Sequence, residues 1–326
     1  MSDLVVEGLS VTLQRSGDIR VVDDVGFTVR TGHTTALVGE SGSGKTLTAL
    51  SLLRLLPAAA TIVHGTATLT GGTTLDDPSV EILALSEAAL RAIRGRRVAM
   101  VFQEPMTALN PLRRIDDQVG EALRIHMGLS RTQARQEARS LLDQVGLPAE
   151  RAAAFPHQLS GGQRQRVMLA AALAANPEIL IADEPTTALD VTVQAQVLAL
   201  LRRLAVERHL GVLLITHDLD VVAEVADDVC VLYAGRVVER GAVDVVFAAP
   251  QHPYTQGLLA SLPSSAPRGQ PLPAIAGAVP PVERWPSGCR FRDRCDRAID
   301  ACAAEPALVV INGVAVRCVR VAEVAA

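Results

Sequence analysis

Short apolar runs alternate with amphipathic stretches along most of this chain, and their two periods predict a layered α/β domain. Residues 4–30 alternate apolar and polar positions, as in Leu4-Val-Val-Glu7 and Val21-Val-Asp-Asp-Val-Gly-Phe-Thr-Val29, which predicts an antiparallel strand pair. Thr34-Thr-Ala-Leu-Val38 reads as a short buried strand, and residues 47–56 read as a helix. Residues 62–85 are rich in Thr and Gly with short β-prone runs, which suits a small hairpin and a surface loop. Residues 98–102 form a second buried strand. From residue 115 to 175 the spacing turns helical, with Ala134, Ala138, Leu141, Leu142 and Val145 on one face of a helix over 131–145. Residues 178–182 and 212–215 are continuous apolar runs, the pattern of central parallel strands covered on both faces. A helix over 191–207 connects them. The sum is a parallel α/β sheet with a helical insert at about 104–175. No internal repeat is present, so each chain carries one such unit.

The chemistry sits at the ends of those strands. Gly39-Glu-Ser-Gly-Ser-Gly-Lys45-Thr46 satisfies G-x-x-x-x-G-K-[ST] and lies between a predicted strand and a predicted helix. Glycines 39, 42 and 44 let the backbone wrap so that its N–H groups and the helix N-terminus converge on phosphate oxygens. Ser41, Gly42, Ser43 and Gly44 would cradle the phosphates, Lys45 would reach the β/γ-phosphates and Thr46 would ligate Mg²⁺. A glycine turn matching by chance is the bland alternative, and the flanking strand and helix argue against it. The chain is expected to bind a nucleoside triphosphate.

Two adjacent carboxylates, Asp183 and Glu184, end a buried strand. Beside a phosphate loop the first can hold Mg²⁺ through its water shell, and the second can polarise an attacking water as general base. A solvated acidic strand end is the plain alternative. Leu159-Ser160-Gly161-Gly162-Gln163-Arg164-Gln165 precedes a helix expected over 166–174, and its hydroxyl, glycine backbone and helix start again form an anion-binding arrangement. Two phosphate-binding loops beside a single G-x-x-x-x-G-K-[ST] suggest that the two loops of one site come from different copies.

Composition changes the picture little, except at the C-terminus. The 326 residues are 49% hydrophobic and 20% charged, ordinary globular values, while aromatics at 2% leave the core to Ala, Val, Leu and Ile. A net charge of −4 gives no electrostatic footprint for nucleic acid. No apolar run reaches the ~18 residues that span a bilayer, and the N-terminus lacks the basic-then-apolar pattern of an export signal. A cytoplasmic protein is expected, with any membrane role supplied by partners. After about residue 248, prolines at 263, 267, 271, 273, 280, 281 and 286 mark a linker, and four of the five cysteines follow it.

With Gln103, Ala188-Leu189-Asp190 and Ile215-Thr-His217-Asp218, these motifs make residues 1–245 resemble the ATP-binding subunit of an ABC transporter. The resemblance implies a P-loop NTPase cassette with a mixed sheet core, an antiparallel β subdomain and a helical subdomain. It also implies a second cassette, identical or paralogous, with each ATP between the phosphate loop of one and the LSGGQ of the other. By position, Gln103 senses Mg²⁺ and the membrane subunit. Ser160, Gly161, Gly162 and Gln163 face the partner's nucleotide, with Ser160 and Gly162 at its γ-phosphate. Asp190 lines the dimer seam, and His217 clamps the γ-phosphate beside Glu184. The other six histidines read as structural or surface residues. One departure stands out: the family usually stacks adenine on an aromatic where this chain reads Leu13-Gln-Arg-Ser-Gly-Asp-Ile19. Weak discrimination between ATP and GTP is the consequence expected.

Phe102-Gln-Glu-Pro-Met-Thr-Ala-Leu-Asn-Pro111 is similar to the segment after the Q-loop of oligopeptide, dipeptide and nickel importers. His252-Pro-Tyr-Thr-Gln-Gly-Leu-Leu259 resembles the start of their C-terminal extension. The division expected is a cassette over 1–247 and an extension over 248–326. That resemblance implies two transmembrane permease subunits, an extracytoplasmic peptide-binding protein and a place on the cytoplasmic face of the membrane. A soluble ABC ATPase acting on ribosomes or DNA is the rival of a different class. In the tail, Cys289-x5-Cys295-x6-Cys302-x15-Cys318 precedes and closes a hairpin predicted by Asn312-Gly313 as a type I′ turn. Four such cysteines suit a [4Fe–4S] cluster or Zn²⁺, unless they are unligated; the lack of a tight C-x₂₋₄-C pair and the likeness to importer tails favour the cluster. Cys230, within an apolar strand, reads as a small buried hydrophobe.

Overall fold

The computed structural model describes residues 2–14, 18–71, 79–103, 108–187, 189–262 and 273–321. In chain order the elements are β1 (Leu4–Gln14), β2 (Asp18–Val29), β3 (Thr34–Val38), α1 (Lys45–Leu52), β4 (Ala60–Leu69), β5 (Val80–Glu81) and α2 (Glu87–Ile93). Then follow β6 (Val98–Val101), α3 (Ile115–Met127), α4 (Arg131–Gln144), α5 (Gly161–Leu173), β7 (Ile179–Asp183), α6 (Val191–Glu207) and β8 (Gly211–Thr216). The chain closes with α7 (Leu219–Val225), β9 (Asp228–Tyr233), β10 (Arg236–Ala242), α8 (Val243–Ala248), α9 (Pro253–Ala260), β11 (Val309–Ile311) and β12 (Val314–Val316).

Two sheets result. Strands β2-β1-β4-β5 make an antiparallel sheet, and β11-β12-β10-β9-β3-β8-β7-β6 make a mixed one. Within the mixed sheet β9, β3, β8, β7 and β6 run parallel, while β10, β12 and β11 are antiparallel additions at one edge. The apolar residues of β3, β7 and β8 are buried along their whole lengths, as continuous apolar runs require when both faces are covered. One face carries the antiparallel sheet and α1, through Leu9, Phe27, Leu52 and Ile215. A second core joins the sheet to α3, α4, α5 and α6, through Leu123, Leu142, Leu169 and Leu201. Each such buried leucine contributes about 1.5–3 kcal/mol of transfer free energy. Gly120 lets α3 and α4 approach, since a Cβ there would lie 3.1 Å from the Ala134 carbonyl.

Two helix boundaries differ from the sequence expectation. The periodicity suggested 47–56, yet α1 spans 45–52: Arg54 takes φ 51°, and the Arg54 and Leu55 amides donate back to the Ser51 and Leu50 carbonyls. This is a Schellman stop. It holds at a non-glycine residue because Arg94 donates to the Leu53 and Arg54 carbonyls from 40 residues away. Helix α5 begins at Gly161 rather than near 166, because Ser160 and Gln163 form a reciprocal capping box that starts the helix inside the glycine pair.

The C-terminal part is not a separate lobe. Hairpin β11–β12 turns at Asn312 and Gly313, both at positive φ as a type I′ turn demands, and β12 pairs with β10 as a strand of the main sheet. Tyr233, Tyr254 and Phe291 pack edge to face at the centre of a third core, with ring centroids 4.7–5.4 Å apart. The prolines at 263, 267 and 271, residues 104–107 of the segment after Gln103, Ala188, and residues 15–17 of the expected base-stacking region lie outside the described residues.

Candidate active site

The phosphate loop leaves β3 at Gly39, whose φ is 150° and whose hypothetical Cβ would sit 2.2 Å from the Leu232 carbonyl oxygen. Only glycine fits there. Gly44, at φ 100°, is the N-cap of α1, and no side chain caps that helix. Lys45 follows, buried at 6% exposure, with Nζ donating to the carbonyls of Gly39 at 2.7 Å and Glu40 at 3.0 Å. Burial lowers its pKa, opposed by the nearby charges of Glu184, Asp183 and Glu40. Thr46 Oγ1 donates to Asp183 Oδ1 at 3.3 Å, which joins the first turn of α1 to the end of β7. Burial of Asp183 raises its pKa, with the Thr46 hydrogen bond acting the other way.

Glu184 stands just past β7 in a left-handed conformation, φ 45°, with its N–H held by the Ile215 carbonyl. Strain of this kind in a non-glycine residue persists where surrounding structure imposes it. The geometry aims the carboxylate at three donors. Oε2 accepts from Gln103 Nε2 and from Thr187 Oγ1, each at 2.9 Å, and Oε1 lies 3.3 Å from His217 Nδ1. Burial works to raise the Glu184 pKa, but the hydrogen bonds from Thr187 and His217 and the charge of Lys45 outweigh it, so the group stays below the usual glutamate value. Gln103, Glu184 and His217 line one cavity of about 450 Å³ with Gly39, Glu40, Ser41, Leu219 and Leu258. Strands β6, β7, β8 and β3 deliver these groups to the same edge of the sheet, where open parallel sheets place their ligands.

Ser160, Gly161, Gly162, Gln163 and Asp190 form a different surface and do not line that cavity. The Ser160 hydroxyl accepts from the Gln163 N–H at 3.3 Å. Gly162 packs against α6, where a Cβ would meet Val193 at 2.3 Å, and Asp190 caps that same helix through the Val193 N–H at 2.9 Å. The signature loop and Asp190 therefore share one exposed edge.

Sequence reasoning missed Thr187 and Leu258. Thr187 carries a local signal, a hydroxyl three residues after the acid. Leu258 carries none, because α9 reaches the cavity from the C-terminal region. Cys230 is buried, as expected, and burial pushes its thiol up to about 12. Buried His252 caps α9 by accepting from the Tyr254 N–H, a structural role.

Cys289, Cys295, Cys302 and Cys318 line one small pocket of about 10 Å³ with Phe291 and Pro306. The Cys289 N–H donates to the Cys302 carbonyl, and burial, together with the other three cysteines, pushes the Cys289 thiol up to about 11. Among the described residues no group of three or more His, Cys, Asp or Glu is arranged to hold a metal ion. The expected iron–sulfur or zinc centre thus finds its thiols gathered around one pocket but not set in a ligand geometry.

A strand, glycine loop and helix, with an acid pair at the end of β7, the next strand but one in the sheet, define a P-loop nucleotide-hydrolysing domain. Residues 22–187 match the profile of the family described as "ABC transporter", and residues 238–302 match "Oligopeptide/dipeptide transporter, C-terminal region". A "Putative peptide import ATP-binding protein" of Brucella abortus (strain 2308) is 49% identical over 99% of this chain and 98% of its own. A like-named protein of Brucella suis biovar 1 (strain 1330) is 48% identical over 97% of this chain and 94% of its own. Among solved structures, the ATP-binding cassette MJ0796, a dimer in a post-hydrolysis state bound to ADP and Pi, aligns at TM-score 0.64 and 28% identity, covering 74% of this chain and 98% of its own. The cbiO1 subunit from Clostridium perfringens, part of the transporter complex cbiONQ, aligns at TM-score 0.62 and 26% identity, covering 76% and 90%. The chain belongs to the ABC transporter ATP-binding family and is an ABC-type ATPase.

Proposed function

We propose that this chain hydrolyses ATP to power import of oligopeptides or dipeptides through separate membrane subunits. The observation that carries the reading is the match of residues 238–302 to the oligopeptide/dipeptide transporter C-terminal region, on a chain whose cavity joins Gln103, Glu184 and His217. Glu184 is the general base: ionised by its hydrogen-bond donors, it can take a proton from water within reach of the γ-phosphate. His217 and Gln103 both hold it; His217 clamps the γ-phosphate, and Gln103 senses Mg²⁺ and the membrane subunit. Residues 41–46 cradle the phosphates. Thr46 and Asp183, an oxygen pair suited to a hard cation, would hold Mg²⁺ with Gln103, and a bound Mg²⁺ would supply charge neutralisation at the phosphates. Ser160, Gly161, Gly162, Gln163 and Asp190 complete the site of a partner cassette, identical or paralogous, which their placement on a surface away from this chain's own cavity supports.

An apolar groove of about 310 Å³ beside Gln103, formed by Leu53, Met100, Phe102, Leu109 and Met168, suits a helix from a permease subunit. Among the described residues no helix is long and apolar enough to cross a membrane. A peripheral place on the cytoplasmic face, two permease subunits and an extracytoplasmic binding protein complete the reading. The proposed division is 1–247 and 248–326; the boundary falls at the last residue of α8, and the extension returns to the main sheet through β12. Nickel or another small solute is the rival cargo; a ribosome- or DNA-directed ATPase is disfavoured by the net charge of −4.

For the four cysteines the proposal is a [4Fe–4S] cluster, with Zn²⁺ and free thiols as rivals. The donor set and its gathering around one pocket support it. Such a group would serve structure, bracing a segment too small to bury a core of its own. Iron, sulfide and zinc analysis of anaerobically purified protein separates the three. For cargo, the assembled transporter in proteoliposomes should accumulate labelled di- or tripeptide with ATP and should lose uptake with Glu184→Gln. Nickel-dependent uptake with no response to peptide would overturn the assignment.

A further inference from the structure

Glu40 is an unusual group to place on a phosphate-binding loop. Its carboxylate borders the same cavity as Ser41, Gln103, Glu184 and His217, where a nucleotide triphosphate would bring several negative charges. Left ionised and unpaired, it would repel the ligand its neighbours bind. The C-terminal region supplies its partner. Arg294 Nη1 donates to Glu40 Oε2 at 2.6 Å and Nη2 to Oε1 at 3.1 Å, a two-point fork. The remaining donors of Arg294 are spent on fixing it: Nε donates to the Ala276 carbonyl at 2.9 Å, and Nη2 lies 3.3 Å from the Gly277 and 3.4 Å from the Ile275 carbonyl oxygens. Its side chain is 6% exposed against 30% for Glu40. The turn that carries it is pinned in place, because the Arg292 and Arg294 amides donate to the Cys289 and Phe291 carbonyls. A second contact comes from α9, where the buried Tyr254 hydroxyl accepts the Glu40 N–H at 2.9 Å.

We propose that Arg294 is a positioning residue for nucleotide binding: it clamps the Glu40 carboxylate in a two-point fork beside the cavity and cancels its charge, so that the phosphate loop can accept ATP. The inference rests on residues 39–46 being the phosphate cradle. It makes the C-terminal extension part of the nucleotide site rather than an appendage, because the charge that balances this loop lies 254 residues downstream of it.

Binding of Mg²⁺ and N-methylanthraniloyl-ATP to the full chain tests this by fluorescence, with a thermal melt of each variant alongside. Arg294→Met should weaken binding about tenfold at low ionic strength, and the gap should shrink to about twofold in 0.5 M NaCl, where exposed charges are screened. Arg294→Lys, which keeps the charge but not the fork, should lose about threefold or less. Adding Glu40→Gln to Arg294→Met should restore binding to within about twofold of wild type, since the repulsive charge is then gone. A purely structural contact would give no such rescue and no salt dependence. If Arg294→Met does not fold, Arg294→Gln takes its place in the same scheme. Wild-type affinity in the single variant, or failure of Glu40→Gln to rescue it, overturns the proposal while Lys45→Ala still abolishes binding. Wild-type binding by Lys45→Ala would overturn the cradle assignment and this proposal with it.

Discussion

Two helices of this chain start on glycine-rich motifs, and they have solved the problem of their exposed N–H groups in opposite ways. Helix α1 starts on Gly44 at positive φ with no side-chain cap, beside a buried Lys45 and an acid pair from β7. Helix α5 starts on Ser160, and Ser160 and Gln163 close its first turn reciprocally at an exposed edge. An uncapped helix start needs an external acceptor, and a nucleotide phosphate can be that acceptor. A capped start is stable alone and presents its hydroxyl outward. The difference fits one loop that binds ATP within its own chain and another that meets ATP only when a second cassette arrives.

The largest expected effect lies on the α1 side. Glu184→Gln removes the proposed general base while keeping hydrogen-bonding capacity toward Gln103 and Thr187, so kcat of the assembled transporter should fall by roughly 10²–10⁴ with ATP binding retained. Turnover at the wild-type rate would remove Glu184 from the chemistry. Next, Ser160→Arg should leave ATP affinity of the isolated chain within about twofold, yet cost about 10²–10³ in hydrolysis by the assembled transporter, the scale of losing a preorganised donor at a developing charge. Lost affinity in the isolated chain would mean that both loops serve one site, and the contrast would break. The smallest effect sharpens it: Ser160→Ala should lower stability by about 1 kcal/mol through loss of the cap. A two-state melt with unchanged midpoint would show that the capping box contributes nothing to the fold.

Where motifs are local, the sequence was enough to read them. The glycines at 39, 42 and 44, the acids at 183 and 184, and His217 each end or follow a buried strand whose apolar run announces it, and α6 spans the predicted 191–207. Boundaries failed where a distant group intervened. Helix α1 stops at Leu52 because Arg94 takes the carbonyls at its end, although apolar residues continue in helical rhythm to Leu56. Helix α5 starts early because Ser160 and Gln163 close a cap that periodicity cannot see.

The same division holds at the site. Amino-acid order alone named the loop proposed to wrap a phosphate and the residues proposed to ligate Mg²⁺ or activate water, because those capacities depend on φ freedom, side-chain chemistry and spacing along a few residues. Only the folded chain decided which of them meet. Gln103, Glu184 and His217 converge because parallel pairing of β6, β7 and β8 aligns three distant strand ends, and Glu40 finds Tyr254 and Arg294 because Tyr254 and Phe291 pack on Tyr233 of β9 in the third core, which sets α9 and the turn of Arg294 beside the phosphate loop. Contacts across more than 200 residues are set by sheet register and core packing, which no local pattern encodes.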